Sequence, residues 1–245
     1  MKPSEKAQFI TNWIKNYIEA MPIKAESLIV GISGGIDSSV SSTLSAMTGL
    51  KTIVLSMPIK QKSEQHDLSL KHQEWLVKKF NNVEAHTVNL DKLFEIFENS
   101  LSKFDSNLGM ANSRARLRMV TLYQVATANK GIVVGTGNKV EDFGVGFYTK
   151  YGDGGVDISP IADCNKTEVW EIGKELDILK EIIDAVPTDG LWDDGRTDEG
   201  QLGLKYKELE EAMNNINSPN REKYERIRKM NLHKMEPIPV CKIPN

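Results

Sequence analysis

Short apolar runs alternate with longer amphipathic stretches along the first half of the chain. Ser27 to Ile32 (SLIVGI), Lys51 to Met57 (KTIVLSM), Val83 to Val88 (VEAHTV) and Gly131 to Gly135 (GIVVG) are rich in Ile and Val and predict strands. Between them, segments of about Asp37–Met47, Glu64–Phe80, Leu90–Lys103 and Ala111–Asn129 carry helical periodicity. Upstream, Phe9, Ile10, Trp13, Ile14, Tyr17 and Ile18 recur at helical spacing. Their polar neighbours are not notably basic, so this reads as a helix packed on the body of the protein, not one lying on a membrane. The near-continuous hydrophobicity of the first and fourth runs suits strands covered on both faces. Strand and helix alternating in this way predict an α/β fold, a doubly wound parallel sheet with flanking helices. Ligands bind such sheets at the carboxyl ends of the strands, so the loops after Ile32, Met57 and Gly135 are where chemistry is expected.

The second half is less regular. Asn138 to Gly155 is long and glycine-rich, too irregular for a plain connector. Asn165–Leu176, Lys205–Asn214 and about Asn220–Asn231 predict helices, and a Pro-interrupted tail follows. Thr188 to Gly200 is acidic and reads either as a disordered surface loop or as a lid over a reactive centre; Trp192, costly to leave exposed for no purpose, favours the lid. The helix over Ala111–Asn129 has apolar residues on two faces: Leu117, Val120 and Val125, then Met119, Leu122 and Ala126. A helix apolar all round needs cover on both sides, and a second copy of the chain is one possible cover.

Composition narrows the class. The 245 residues suit one large domain, and 31 Lys+Arg against 34 Asp+Glu give a net charge of -3. A nucleic-acid partner, which calls for a basic excess, is disfavoured. No run approaches the roughly 18 apolar residues of a membrane span. Cys164 and Cys241 are far apart and match no zinc spacing, which fits a reducing cytoplasm. His66, His72, His86 and His233 form no metal-binding pattern.

The strongest local signal is Gly31, Ile32, Ser33, Gly34, Gly35, Ile36, Asp37 and Ser38, directly after a strand and opening a helix. Glycines let the backbone approach a phosphate closely, and the helix N-terminus with the Ser33 and Ser38 hydroxyls supplies donors. Asp37 would repel a phosphate unless it holds a Mg²⁺ ion that bridges to it. The loop lacks the Gly-Lys-Ser/Thr of a Walker A motif and is not a GxGxxG fingerprint. On a helix, Arg114 and Arg118 share one face while Arg116 points nearly opposite. Arg114 and Arg118 suit a solvated basic face, and Arg116 suits an anionic ligand. Lys166 at a helix start opposes the helix dipole, which points to an anionic partner, the alternative being a solvent-exposed lysine.

SGGIDS resembles the pyrophosphate-binding loop of the ATP pyrophosphatases, whose fold is of the adenine-nucleotide alpha-hydrolase type. Arg114–Met119 (RARLRM), Gly135-Thr136, Glu141, the block Phe147–Gly155 (FYTKYGDGG), Asp157, Lys166, Pro187-Thr188 and His233-Lys234 are similar in order and spacing to the NAD synthetases, in their short ammonia-dependent form. The resemblance implies a single domain over 1–245, with no glutaminase, that amidates deamido-NAD with ammonia at the expense of ATP. By position, Gly31 to Ser38 would bind the ATP phosphates, and Thr136, Lys166 and Thr188 would contact ATP. Asp37 and Glu141 would hold Mg²⁺. Arg116, Lys150, Asp157, His233 and Lys234 would bind deamido-NAD. Asp37, Lys166 and Thr188 are the expected catalytic set, and a homodimer is the expected assembly. Ammonia would come free or from a separate partner chain. Asp189, Asp198 and Glu199 are candidates for the base that deprotonates ammonium. The loop with Pro58 and Lys60 is expected to touch adenine. The rival readings are a tRNA-modifying or GMP-forming ATP pyrophosphatase, which the net charge and unpaired cysteines disfavour, and a non-catalytic adenine-nucleotide sensor.

Overall fold

Strand β1 (Ser27–Gly31) runs up the middle of a four-stranded sheet, with β2 (Lys51–Ser56) on one side and β4 (Gly131–Val134) on the other; β3 (Val83–Thr87) flanks β2. All pairs are parallel, with Ile29 opposite both Ile53 and Val133. The computed structural model describes residues 1–61, 63–188, 190 and 196–244. Each predicted strand is present, and each is joined to the next by helix: α2 (Ile36–Met47), α3 (Ser63–Lys79), and then α4 (Asp91–Ser100) followed by α5 (Asn107–Ala128).

Alternation within β1 sorts the two faces. Leu28 and Val30 enter one core with Ile14 of α1 (Pro3–Ala20), Leu44 of α2 and Val169 of α6 (Lys166–Glu175). Ile29 enters the other core with Phe94, Met119 and Leu122. Each such side chain, fully buried, contributes about 1.5–3 kcal/mol. The sheet is therefore doubly wound, as its pattern predicts. Its strand order reverses between β1 and β4, which opens a crevice at their carboxyl ends. A parallel bridge from Val134 to Ile158, with Gly135 N–H donating to Ile158 O at 2.7 Å, extends the sheet beyond β4.

Several boundaries differ from expectation for local reasons. Helix α5 begins at Asn107 because the Ser106 hydroxyl caps the Gly109 N–H at 3.1 Å. The stretch expected as Leu90–Lys103 breaks after Ser100 into a 3-10 turn, Ser102–Phe104. In α1 the isoleucine row (Ile10, Ile14, Ile18) is buried with Ala7 and Thr11, while Phe9, Trp13 and Tyr17 face outward. In α5, Met119, Leu122 and Ala126 are buried and Val120 is 65% exposed.

After β4 the chain winds as a π-helical segment, Lys139–Val145, and later as α6, α7 (Lys180–Ile183), α8 (Asp198–Leu202), α9 (Tyr206–Asn214) and α10 (Arg221–Met235). Val140, Val145, Leu202, Tyr206, Leu209 and Tyr224 form a third core that holds these pieces together. Among the described residues, no helix is long and apolar enough to cross a membrane. Asp189 and Trp192, and with them the middle of the expected lid, lie outside the described residues.

Candidate active site

The Ser-Gly loop sits on the β1 side of the crevice. Ile32 N–H still pairs with Leu55 O at 2.8 Å, so the chain leaves the sheet only at Ser33. Gly34 then takes φ +90°, a conformation that glycine alone adopts without strain, and Gly35 caps α2. The loop is closed by its own hydroxyls. Ser38 Oγ donates to Gly35 O at 3.0 Å and accepts from Ser33 N–H at 3.2 Å. The Ser38 hydroxyl thus shapes the loop, and Ser38 lines the cleft. The first-turn N–H groups of α2, which have no acceptor within the helix, open on the cleft.

Across the crevice, a buried lysine meets two half-buried carboxylates. Lys166 Nζ donates to Asp37 Oδ2 at 2.5 Å and to Glu141 Oε1 at 2.9 Å. Tyr206 OH donates to the same Glu141 oxygen at 2.6 Å, and Asp198 Oδ2 lies 3.3 Å away. Asn138, fully buried, uses its Oδ1 to cap the Val140 and Glu141 N–H groups, and its amide reaches Asp37 Oδ1 at 3.3 Å. Sequence reasoning missed Asn138, though an Asn just before Glu141 is a helix-start signal.

Burial sets the electrostatics. It pushes the Asp37 carboxyl above its ordinary range, opposed by Lys166. For Glu141, burial is outweighed by Lys166 and by the bond from Tyr206, and its carboxyl is held low. The two carboxylates overcome burial at Lys166 and hold its ammonium above the usual lysine range. Burial, reinforced by Glu141 and Asp198, drives the Tyr206 phenol far up, so it stays a donor.

Two carboxylates already converging on one cation are a donor set that suits a hard divalent ion, with remaining ligands from phosphate and water. Among the described residues, no set of three or more His, Cys, Asp or Glu side chains gathers to hold a metal alone. Thr136, Thr188, Arg118 and Asp153 also line this cleft.

A second group gathers beside it. The segment 147–157 is clasped to the end of α10: Tyr148 OH donates to Lys234 O, and Lys234 Nζ to Tyr148 O, both at 2.7 Å. Lys150 Nζ reaches His233 O at 3.3 Å, and Arg116 Nε donates to Lys150 O at 3.2 Å. Asp157 accepts from Tyr123 OH at 2.9 Å and from Val133 N–H at 2.7 Å, under the end of β4. The glycines permit close packing: a Cβ on Gly154 would lie 2.3 Å from the Tyr148 ring.

The NAD synthase family model matches residues 6–243. The chain belongs to the NAD synthase family. An NH(3)-dependent NAD(+) synthetase of Carboxydothermus hydrogenoformans is 36% identical over 211 residues, 84% of this chain and 83% of the relative. Another, of Alkaliphilus metalliredigens, is 34% identical over 255 residues, 98% and 99% of the two chains. Among solved structures, the NMN synthetase of Francisella tularensis superposes with a TM-score of 0.89 at 34% identity, covering 100% of this chain and 99% of that one.

Within this NAD synthase chain, the residues expected to bind ATP and Mg²⁺ come together in one cleft, whereas Arg116, Lys150, Asp157, His233 and Lys234 lie outside its walls. One expectation needs correction. Arg118 does not sit on a solvated face: it lines the cleft, and its Nε donates to Met57 O at 3.0 Å. Burial lowers its guanidinium to about 10, which leaves it charged. Arg114 stacks 5.2 Å over the Phe94 ring, also away from open solvent. From the loop that carries Pro58 and Lys60, Met57 and Gln61 face the cleft, while Lys60 pairs with Glu98 at 2.5 Å. Glu199 Oε1 accepts the Tyr206 N–H at 3.0 Å. Cys164 is buried and its thiol is pushed up to about 11, so it is no nucleophile.

Proposed function

We propose that this chain amidates the nicotinate carboxyl of deamido-NAD with ammonia, converting ATP to AMP and pyrophosphate. The observation that carries the reading is the convergence of Lys166 on Asp37 and Glu141, at the switch-point crevice and beside the Ser-Gly loop, in a NAD synthase chain. The carboxylate oxygen attacks the α-phosphorus, the bond to the bridging oxygen breaks, and pyrophosphate leaves. Ammonia then attacks the acyl carbon of the adenylate, loses a proton, and AMP departs.

The loop N–H groups bind phosphate, and Lys166 turns from the carboxylates toward the charge that develops on the leaving group. Asp37 and Glu141 would hold Mg²⁺, which supplies Lewis-acid neutralisation of the phosphates when bound. Thr136 and Thr188, which line the cleft, orient ATP. Arg116, Lys150, Asp157, His233 and Lys234 bind the pyridine nucleotide beside it. Catalysis is positioning and electrostatics, with no covalent nucleophile.

We further infer a homodimer. Val120 is 65% exposed on the outer side of α5, an apolar side chain that a second copy would cover. Residues 1–245 act as one synthetase domain, in the cytoplasm, on ammonia that is free or delivered by a separate chain.

A second reading concerns the length of the acid substrate. The Francisella tularensis relative is an NMN synthetase, and this chain matches it over its whole length. An enzyme of that kind would amidate nicotinate mononucleotide. The test is purified protein with ATP, Mg²⁺, ammonium or glutamine, and either acid substrate, following AMP, pyrophosphate and the amide. NAD formed with ammonium and not with glutamine supports the first reading. A kcat/KM that favours the mononucleotide supports the second, and no AMP under any condition overturns both.

A further inference from the structure

Tyr206 has no role in the reaction as derived so far, and packing alone does not account for it. Its ring is buried in the third core, edge-on to Trp170 at 5.8 Å, where a phenylalanine would pack equally well. The hydroxyl is the surplus. A buried phenol is costly unless it is hydrogen-bonded, and this one is spent on a carboxylate with a second beside it. It donates to Glu141 Oε1 at 2.6 Å, with Asp198 Oδ2 at 3.3 Å.

The bond to Glu141 falls on the oxygen that also takes the Lys166 ammonium. Two donors on one oxygen fix the rotation of the carboxylate plane, and with it the direction of the other oxygen. The same tyrosine holds α8 twice. Its N–H donates to Glu199 Oε1 at 3.0 Å, and its hydroxyl faces Asp198, the neighbouring acid. Asp198 is itself anchored across the cleft wall, its N–H donating to Pro187 O at 3.1 Å, next to Thr188. Finally, the face of the ring lies 4.9 Å beneath the Lys166 ammonium, a cation–π seat for the lysine.

We propose that Tyr206 is a positioning residue for Glu141, and that its hydroxyl couples the setting of that carboxylate to the seating of Asp198 and α8 on the ATP cleft. The inference rests on the reading of Asp37 and Glu141 as the residues that hold the nucleotide's divalent ion. Groups behind metal ligands commonly matter by about 10–100-fold in metal affinity or activity.

The test is Tyr206→Phe, which keeps the ring and removes the hydroxyl. Mn²⁺ binding in the presence of α,β-methylene ATP is measured by electron paramagnetic resonance, beside steady-state kinetics with Mg²⁺. The expected result is Mn²⁺ binding weakened about tenfold and kcat lowered by a similar factor, with KM for the pyridine nucleotide within about twofold. In a Glu141→Gln background the same change should add nothing further to Mn²⁺ binding, because Tyr206 acts through that carboxylate. Unchanged Mn²⁺ affinity in Tyr206→Phe, or strict additivity with Glu141→Gln, overturns the proposal. A merely packing role would lower the melting temperature and leave Mn²⁺ binding alone.

Should Tyr206→Phe fail to fold, Asp198→Asn decides: weaker Mn²⁺ binding supports the coupling and unchanged binding overturns it. Wild-type protein that binds Mn²⁺ with the analogue but forms no amide defeats the proposed reaction, while Tyr206 is still judged by Mn²⁺ binding. Wild-type protein that binds no Mn²⁺ with the analogue defeats the positioning role.

Discussion

Lys166 and Asp37, 129 residues apart, meet at 2.5 Å as the first residue of α6 and a first-turn residue of α2. A cation at a helix start is unfavourable and an anion there is favourable, so the pair repairs at α6 what the dipole costs.

Removing the cation should be severe. Lys166→Met leaves two half-buried carboxylates facing each other without compensation, a loss of about 3–5 kcal/mol. Urea unfolding should show this, and Mg²⁺ with ATP should return part of it by supplying a replacement charge. AMP formation should fall by at least about a hundredfold, since the group that follows the phosphate charge is gone.

Arg118→Met tests the corrected role of that residue. The variant loses a guanidinium inside the cleft and its bond to Met57 O. KM for ATP is expected to rise about tenfold, the worth of one charge-assisted hydrogen bond, with little change in KM for the pyridine nucleotide. Arg114→Met, outside the cleft, should cost stability and leave KM for ATP alone.

Gly154→Ala should act in the opposite sense. A methyl group there collides with the Tyr148 ring and so loosens the clasp between Tyr148 and Lys234. Steady-state kinetics should show KM for the pyridine nucleotide raised several-fold and KM for ATP unchanged.

Stability should fall in mild acid because of His72. The ring is fully buried, bonded to Ser42 Oγ at 3.0 Å, and burial lowers its pKa from 6.5 to about 4. The unfolded chain takes up the proton first, so stability is intact above pH 6.5 and drains away as the pH falls toward about 4. The full difference is about 3 kcal/mol. Urea midpoints measured across this window should slope in the wild type and flatten in His72→Gln.

The outer face of α5 predicts the assembly state. Val120→Glu places a charge on its exposed apolar surface and should convert a dimer to monomers in sedimentation velocity, with a small change in monomer stability. An unchanged sedimentation coefficient would remove this face from the interface.

The sheet was legible because buried strands are written locally: GIVV and SLIV need no partner to be recognised. The Ser-Gly loop was legible for the same reason, since its chemistry lies within Gly31–Ser38. Arg118 was misread because its surroundings come from the end of β2, which no helical wheel contains. Asn138 and Tyr206 were overlooked because each is ordinary alone, one a cap and the other a core aromatic. Their meaning comes from a crevice that topology assembles out of β1, β4 and three later helices.

Glu168 sits behind this crevice. One of its oxygens takes the Asn165 N–H and fastens the start of α6, and the other takes the ammonium of Lys6 in α1, 162 residues away. The opening turns of the polypeptide thus work as a guy-line on the mast that carries Lys166. A fusion partner or affinity tag that unravels the first turns of α1 should register as weakened nucleotide turnover, far from where the chain was altered.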